Sequence, residues 1–267
     1  MDWDADGTLD FISGSYDPGD VYLFRGLGKG KYAKGATILD ETGTPLVHHP
    51  EELKIFQRLE RAEDSDEQKS IQARVASFGS WPAPVDWDDD GDLDVLIGSF
   101  SGEIFLRLNK GTRKAPVLAA ESVHVVDEDG DPLLVTGHAD PFPADWDGDG
   151  RWDLVVGSAD GSVVWHRNVG EKGKPKFAGP QELVAAKSTT KLYTQHREPD
   201  EAPQPGARAQ ICVADYDGDG LLDLLVGDYS MIETRRAIDP KSTAASPPSS
   251  NGPPSSFVWL FLRTPRE

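Results

Sequence analysis

Apolar residues along this chain gather in short runs closed by glycine: FISG at 11–14, VLIG at 95–98, LVVG at 154–157 and LLVG at 224–227. Each run is too short for a helical stripe and rich in branched or aromatic residues, so each predicts a β-strand. A second apolar run follows a few residues later, as in Val21–Arg25 and Val163–Arg167, or after an interruption, as in Phe257–Arg263. The fullest unit reads as four strands. Pro141–Ala144 leads in, Leu154–Ser158 leads out, Ala159-Asp160-Gly161 turns the chain, and Ser162–Asn168 and Lys176–Val184 complete the sheet. The stretch before it repeats the plan with Ala83–Val85, Val95–Phe100, a Ser101-Gly102 turn, Glu103–Asn109 and Ala115–Val123. Four antiparallel strands per repeat is the plan of a propeller blade. Asp127-Glu128-Asp129-Gly130-Asp131 and Asp40-Glu41-Thr42-Gly43 read as hairpin turns between strands.

The expected fold is therefore all-β: a β-propeller of four-stranded antiparallel blades with four recognisable blades, standing alone or as part of a larger ring. A single domain spans residues 1–267, with blades at about 1–48, 80–136, 140–194 and 208–264. Insertions fall at 49–79, 195–207 and 231–256. In the first, Leu53, Phe56 and Leu59 lie at helical spacing behind Pro50, which predicts a short amphipathic helix over 49–64. The second reads as a polar, Pro-rich loop. Within the third, residues 237–256 are nearly devoid of large apolar groups and are expected to be mobile.

Directly before each glycine-closed run lies a nine-residue loop, beginning at Asp2, Asp86, Asp145 and Asp215. Asp stands at positions 1, 3, 5 and 9 of all four, and Gly at position 6. A hard cation such as Ca²⁺ takes six to eight oxygens, and alternate residues of a curled loop turn their carboxylates toward one centre. Gly at position 6 reverses the chain at low steric cost. A solvated turn would need no acid at position 9. An EF-hand would need a bidentate Glu at position 12 and flanking helices, whereas Ile97, Val156 and Val226 stand there within strand-like runs.

The four D-x-D-x-D-G-x-x-D loops entering apolar strands resemble the FG-GAP/VCBS repeat family, whose members are similar to the calcium-binding blades of integrin α-chain propellers. The resemblance implies that Asp2, Asp4, Asp6 and Asp10 are ligands in the first blade, and Asp86, Asp88, Asp90 and Asp94 in the second. It likewise implies Asp145, Asp147, Asp149 and Asp153, then Asp215, Asp217, Asp219 and Asp223. Thr8, Asp92, Arg151 and Leu221, at position 7, would contribute backbone carbonyls, so their side chains are free to differ. Up to four Ca²⁺ ions are expected.

A formal net charge of −19 excludes a nucleic-acid footprint, and no membrane insertion is expected. Filling four sites would bring that charge to about −11. The single cysteine, Cys212, excludes an internal disulfide, and its apolar neighbours Ile211 and Val213 predict a buried structural thiol. Low-affinity Ca²⁺ sites are filled outside cells and largely empty in cytosol, so a secreted, periplasmic or cell-surface location is expected. Met1 abuts the first loop, where a blade needs an entering strand, so the chain is expected to begin inside a longer protein. Open blade edges would then invite self-association.

The six histidines show no zinc-site spacing, and no nucleophile elbow or phosphate loop is present. Trp3, Trp87, Trp146 and Tyr216 recur at loop position 2, predicting packing between blades. Of Trp81, Trp152, Trp165 and Trp259, one or two could offer a surface for carbohydrate stacking. The expected function is a calcium-stabilised binding or scaffold module for protein or glycan ligands, not an enzyme. The alternative is an accessory or catalytic propeller of a carbohydrate-active enzyme such as a polysaccharide lyase. A concave pocket with converging His, Tyr or Arg beside a metal-free carboxylate would favour that alternative.

Overall fold

The computed structural model describes residues 1–16, 19–47, 79–186, 194–197, 205–234 and 254–264. The helix expected at 49–64 lies outside the described residues. The described residues are all-β and contain no helix.

The first sheet holds β1 (Phe11–Gly14), β2 (Val21–Phe24) and β3 (Ala36–Thr37) in sequential order. The second holds β4 (Ser80–Val85), β5 (Asp94–Ser99), β6 (Ile104–Arg107) and β7 (Val123–His124). The third repeats this with β8 (Asp140–Ala144), β9 (Asp153–Gly157), β10 (Val163–His166) and β11 (Gln181–Val184). These three sheets are antiparallel throughout.

The fourth sheet departs from the plan. Its blade consists of β13 (Ala207–Ala214), the first half of β14 (Asp223–Thr234) and β16 (Val258–Phe261), all antiparallel. The far half of β14 continues to Thr234, pairing with β12 (Thr194–Arg197) in parallel and with β15 (Pro254–Ser255). Two expected insertions therefore contain strands: β12 begins the 195–207 segment, and β14 and β15 enter the 231–256 segment. The additional edge of β14 supplies ladder partners that no local periodicity advertised.

The outermost strands are shorter than expected, with β7 and β11 reduced to two and four residues. The chain before each folds back as a hairpin instead. The side-chain Oδ1 of Asn109 accepts from Gly111 and Val117 N–H, and that of Asn168 from Gly170 and Lys176 N–H. This turns Leu118 and Phe177 inward to full burial between sheets. The turns at 40–44 and 127–131 form as expected, each closed by an N–H···O bond back to Asp40 or Asp127.

Three apolar cores lie between successive sheets. Trp3, Val21, Leu23, Leu46, Val95 and Ile97 join the first to the second. Leu96, Ile104, Leu106, Leu154 and Val156 join the second to the third, and Val155, Val163, Trp165, Leu224 and Val226 the third to the fourth. Alternation of period two sends neighbouring residues of one strand into opposite cores. The closing glycine of each run has a different task. A methyl group on Gly14, Gly98 or Gly157 would overlap the carbonyl oxygen of Ser80, Ala139 or Ala209 on the next blade. Gly227 meets nothing closer than 3.6 Å.

That room belongs to a face left uncovered among the described residues. Tyr216 is 63% exposed, whereas Trp3 and Trp146 at the same loop position are 3% and 7% exposed. Val258 is 73% exposed, although its counterparts Val21, Ile104 and Val163 are buried. Cys212 lies on the same side of β13 and is exposed, correcting the expected buried thiol. Its counterpart Ala83 is buried because a further sheet packs over it.

Candidate metal centre

The second, third and fourth loops each run from an entering strand, β4, β8 or β13, to the strand that pairs with it, and the first leads directly into β1. Gly at position 6 takes the left-handed conformation the spacing demanded, with φ from +87° to +94° at Gly7, Gly91, Gly150 and Gly220. Position 4 is left-handed as well: Gly148 and Gly218 at +76° and +81°, but also Ala5 and Asp89 at +54° and +61°. Backbone N–H groups then hold the acids in place. Asp2, Asp86, Asp145 and Asp215 accept from the Gly at position 6 at 3.0–3.2 Å. Asp6, Asp90, Asp149 and Asp219 accept from the N–H of position 7 at 2.7–3.0 Å.

Carboxylate oxygens converge in all four loops. Asp2, Asp4 and Asp6 place one oxygen each within 4.8 Å of one another, and so do Asp86, Asp88 and Asp90. In the third loop the group is Asp145, Asp147 and Asp153, and in the fourth Asp215, Asp217 and Asp223. Three like charges at such separations repel strongly, and a divalent cation at their centre reverses the sign of the interaction. The donor set is oxygen alone, the preference of Ca²⁺. Hence the residues present fit that ion.

Position 9 has a structural role that the spacing did not reveal. Asp10, Asp94, Asp153 and Asp223 are buried, and each carboxylate bridges two backbone donors. One oxygen accepts from the N–H at position 2, of Trp3, Trp87, Trp146 or Tyr216, at 2.8–3.1 Å. The other accepts from Gly26, Asn109, Asn168 or Arg263, beyond the third strand, at 2.6–2.9 Å. The acid thereby ties the loop to its blade. Burial pushes Asp94 up to about 6 and raises Asp153, whereas the Arg263 N–H holds Asp223 below the ordinary carboxylate value.

At position 7 the side chains differ in use. Thr8 Oγ1 bonds Asp6, Arg151 pairs with Asp149, and Asp92 turns inward to burial. Burial raises the pKa of Asp92, with Asp90, Asp88 and Asp86 adding repulsion. Leu221 is half-buried. Among the described residues, cationic side chains meet three of the loops: Arg25 pairs with Asp4, Lys172 lies 2.6 Å from Asp89, and Arg167 lies 2.6 Å from Asp147 and 3.3 Å from Asp149.

A second concavity lies at the opposite ends of the strands. Gly14–Tyr16 after β1, Gly79–Trp81 opening β4, His138 before β8, and Arg208–Gln210 in β13 line a cavity of about 250 Å³. The metal loops leave the other ends of β4, β8 and β13. Of the tryptophans, Trp81 lines this cavity, Trp152 packs tilted against Trp87 with ring centroids 5.2 Å apart, and Trp165 and Trp259 pack with the third core.

No curated protein matches the chain. Residues 145–226 match the model of the FG-GAP-like repeat. That stretch opens on the first acid of the third loop and ends in the strand after the fourth, so it contains both loops and, between them, β9 to β11 and β13. Over residues 145–226 the chain carries the FG-GAP-like repeat.

Proposed function

We propose that the protein is a calcium-stabilised propeller that binds or displays a protein or glycan ligand, acting outside the cytosol and without catalysis. The observation that carries this reading is the convergence of three carboxylates in each of four equivalent loops. Bound Ca²⁺ would neutralise them and so brace the connection between the first two strands of every blade. The FG-GAP-like repeat supports a binding or scaffold module of propeller type. No helix among the described residues is long and apolar enough to cross a membrane.

The enzymatic alternative asked for His, Tyr or Arg converging beside a carboxylate free of metal. The cavity does gather Tyr16, His138 and Arg208, but no carboxylate lines it among the described residues. Binding is therefore the reading retained. Elemental analysis and calorimetry test the calcium part. At Kd of about 10⁻⁴ to 10⁻³ M and about 1 mM free Ca²⁺, each site adds about 0.4–1.4 kcal/mol by mass action. Chelation should lower the melting temperature by several degrees, and Asp147→Ala with Asp149→Ala should remove about a quarter of the metal. An unchanged melting curve, or no calcium in the purified protein, would reject the reading.

A further inference from the structure

The cavity at the strand ends opposite the metal loops is lined by chemistry that no core requires. Its groups come from all four blades: Ser15 and Tyr16 from the first, Trp81 from the second, His138 from the turn into the third, and Arg208 and Gln210 from the fourth. His138 is 5% exposed and its Nε2 has no hydrogen-bond partner, and Ser15 Oγ is likewise buried without one. Buried polar atoms are ordinarily satisfied, and those that are not call for an explanation. His138 and Arg208 also hold left-handed backbone at φ +47° and +57°. Non-glycine residues rarely adopt that conformation, and such strain collects at ligand sites.

We infer that this cavity binds a single uronic-acid unit, either free or at the end of an acidic glycan. Among the described residues lining the cavity the cation is Arg208, whose guanidinium also lies over the Tyr229 ring at 5.4 Å, and a guanidinium fork has donors enough to meet a carboxylate as well. Trp81 and Tyr16 offer aromatic surface, Tyr16 being 58% exposed, against which the C–H face of a pyranose can lie. His138 is edge-on to Trp81, with ring centroids 5.2 Å apart, and is held neutral by burial and by Arg208. Neutral imidazole, the Ser15 hydroxyl and the Gln210 amide suit sugar hydroxyls, which need both donors and acceptors. A cavity of about 250 Å³ lies just below the roughly 300–1,000 Å³ of sites for larger ligands. It has room for one ring.

This inference rests on the binding-module reading, and the test separates the two. Calcium-loaded protein is titrated calorimetrically with sodium glucuronate, with glucose and with a galacturonic-acid trisaccharide. Glucuronate should bind at least about tenfold more tightly than glucose, because one charge-assisted contact discriminates by that much. Added salt should weaken the preference. Arg208→Gln should reduce glucuronate to the level of glucose. A trisaccharide that binds more tightly than the monosaccharide would identify a glycan end as the natural source, and equal binding a single unit. Equal affinity for glucose and glucuronate, no heat from either acidic probe, or a preference that survives Arg208→Gln would overturn the assignment. Thermal shifts with calcium and with chelator, run on the same samples, report whether the module itself stands when the ligand does not, and whether the variant is folded.

Discussion

Replacing Asp153 with alanine tests whether the ninth acid of the loop is a metal ligand alone. Its two oxygens accept from Trp146 N–H at 3.1 Å and Asn168 N–H at 2.7 Å, and the residue is fully buried. Alanine strands two backbone donors at about 1–3 kcal/mol each, so Asp153→Ala should cost roughly 2–6 kcal/mol without any ion. Asp147, in the same cluster, pairs among the described residues with the half-exposed Arg167 and accepts from the loop backbone. Its loss removes mainly the calcium contribution, about 0.4–1.4 kcal/mol, since an exposed ion pair is worth at most about 1 kcal/mol. Urea unfolding followed by circular dichroism separates the two roles. With calcium both variants should be destabilised; with chelator Asp147→Ala should approach wild type while Asp153→Ala keeps its deficit. Asp153→Asn, which retains one acceptor, should fall between. If the deficit of Asp153→Ala vanished in chelator, the bridging role would be wrong.

Gly98→Ala should be strongly destabilising, by about 1–3 kcal/mol or more for overpacking against Ala139, and Gly227→Ala near neutral; similar losses in thermal melts would contradict the blade-spacing argument. The uncovered face of the fourth blade, with Tyr216, Val258 and Leu260 exposed, should draw a second copy of the chain onto it. Sedimentation should show association that Val258→Lys with Leu260→Lys abolishes, and a wild-type monomer at every concentration would refute this. Asp140, which lines a separate cavity together with Pro82, Pro84, Phe142 and Ile211, has its pKa pushed up to about 7 by burial. Since the folded value lies above the unfolded one, its stabilising effect is present below pH about 4 and lost as pH rises through 7. Asp140→Asn should therefore raise the melting temperature relative to wild type at pH 8 but not at pH 4, and an equal effect at both would exclude the titration.

The repeated strands, the loops between them and the glycine at position 6 were all legible in the chain, because each depends on residues a few positions apart. Alternation identified which residues of Val95–Ile97 and Leu154–Val156 face a core, and it located three of the four tryptophan or tyrosine positions in packing between blades. Position 9 was found as an acid, but its bond to the N–H of Asn109 or Asn168, fifteen residues on, depends on the third strand lying beside the loop. The glycines closing the strands show a second gap. Their carbonyl neighbours belong to the next blade, so their spacing task appears only when two sheets meet. Cys212 has the local pattern of a buried residue, yet burial requires a covering sheet, and the described residues place none there. The cavity depends most on assembly, since Tyr16, Trp81, His138 and Arg208 carry no shared spacing and converge only where the four sheets pack together. Periodicity encodes which side of a strand is apolar; what lies opposite that side is a property of the packed blades.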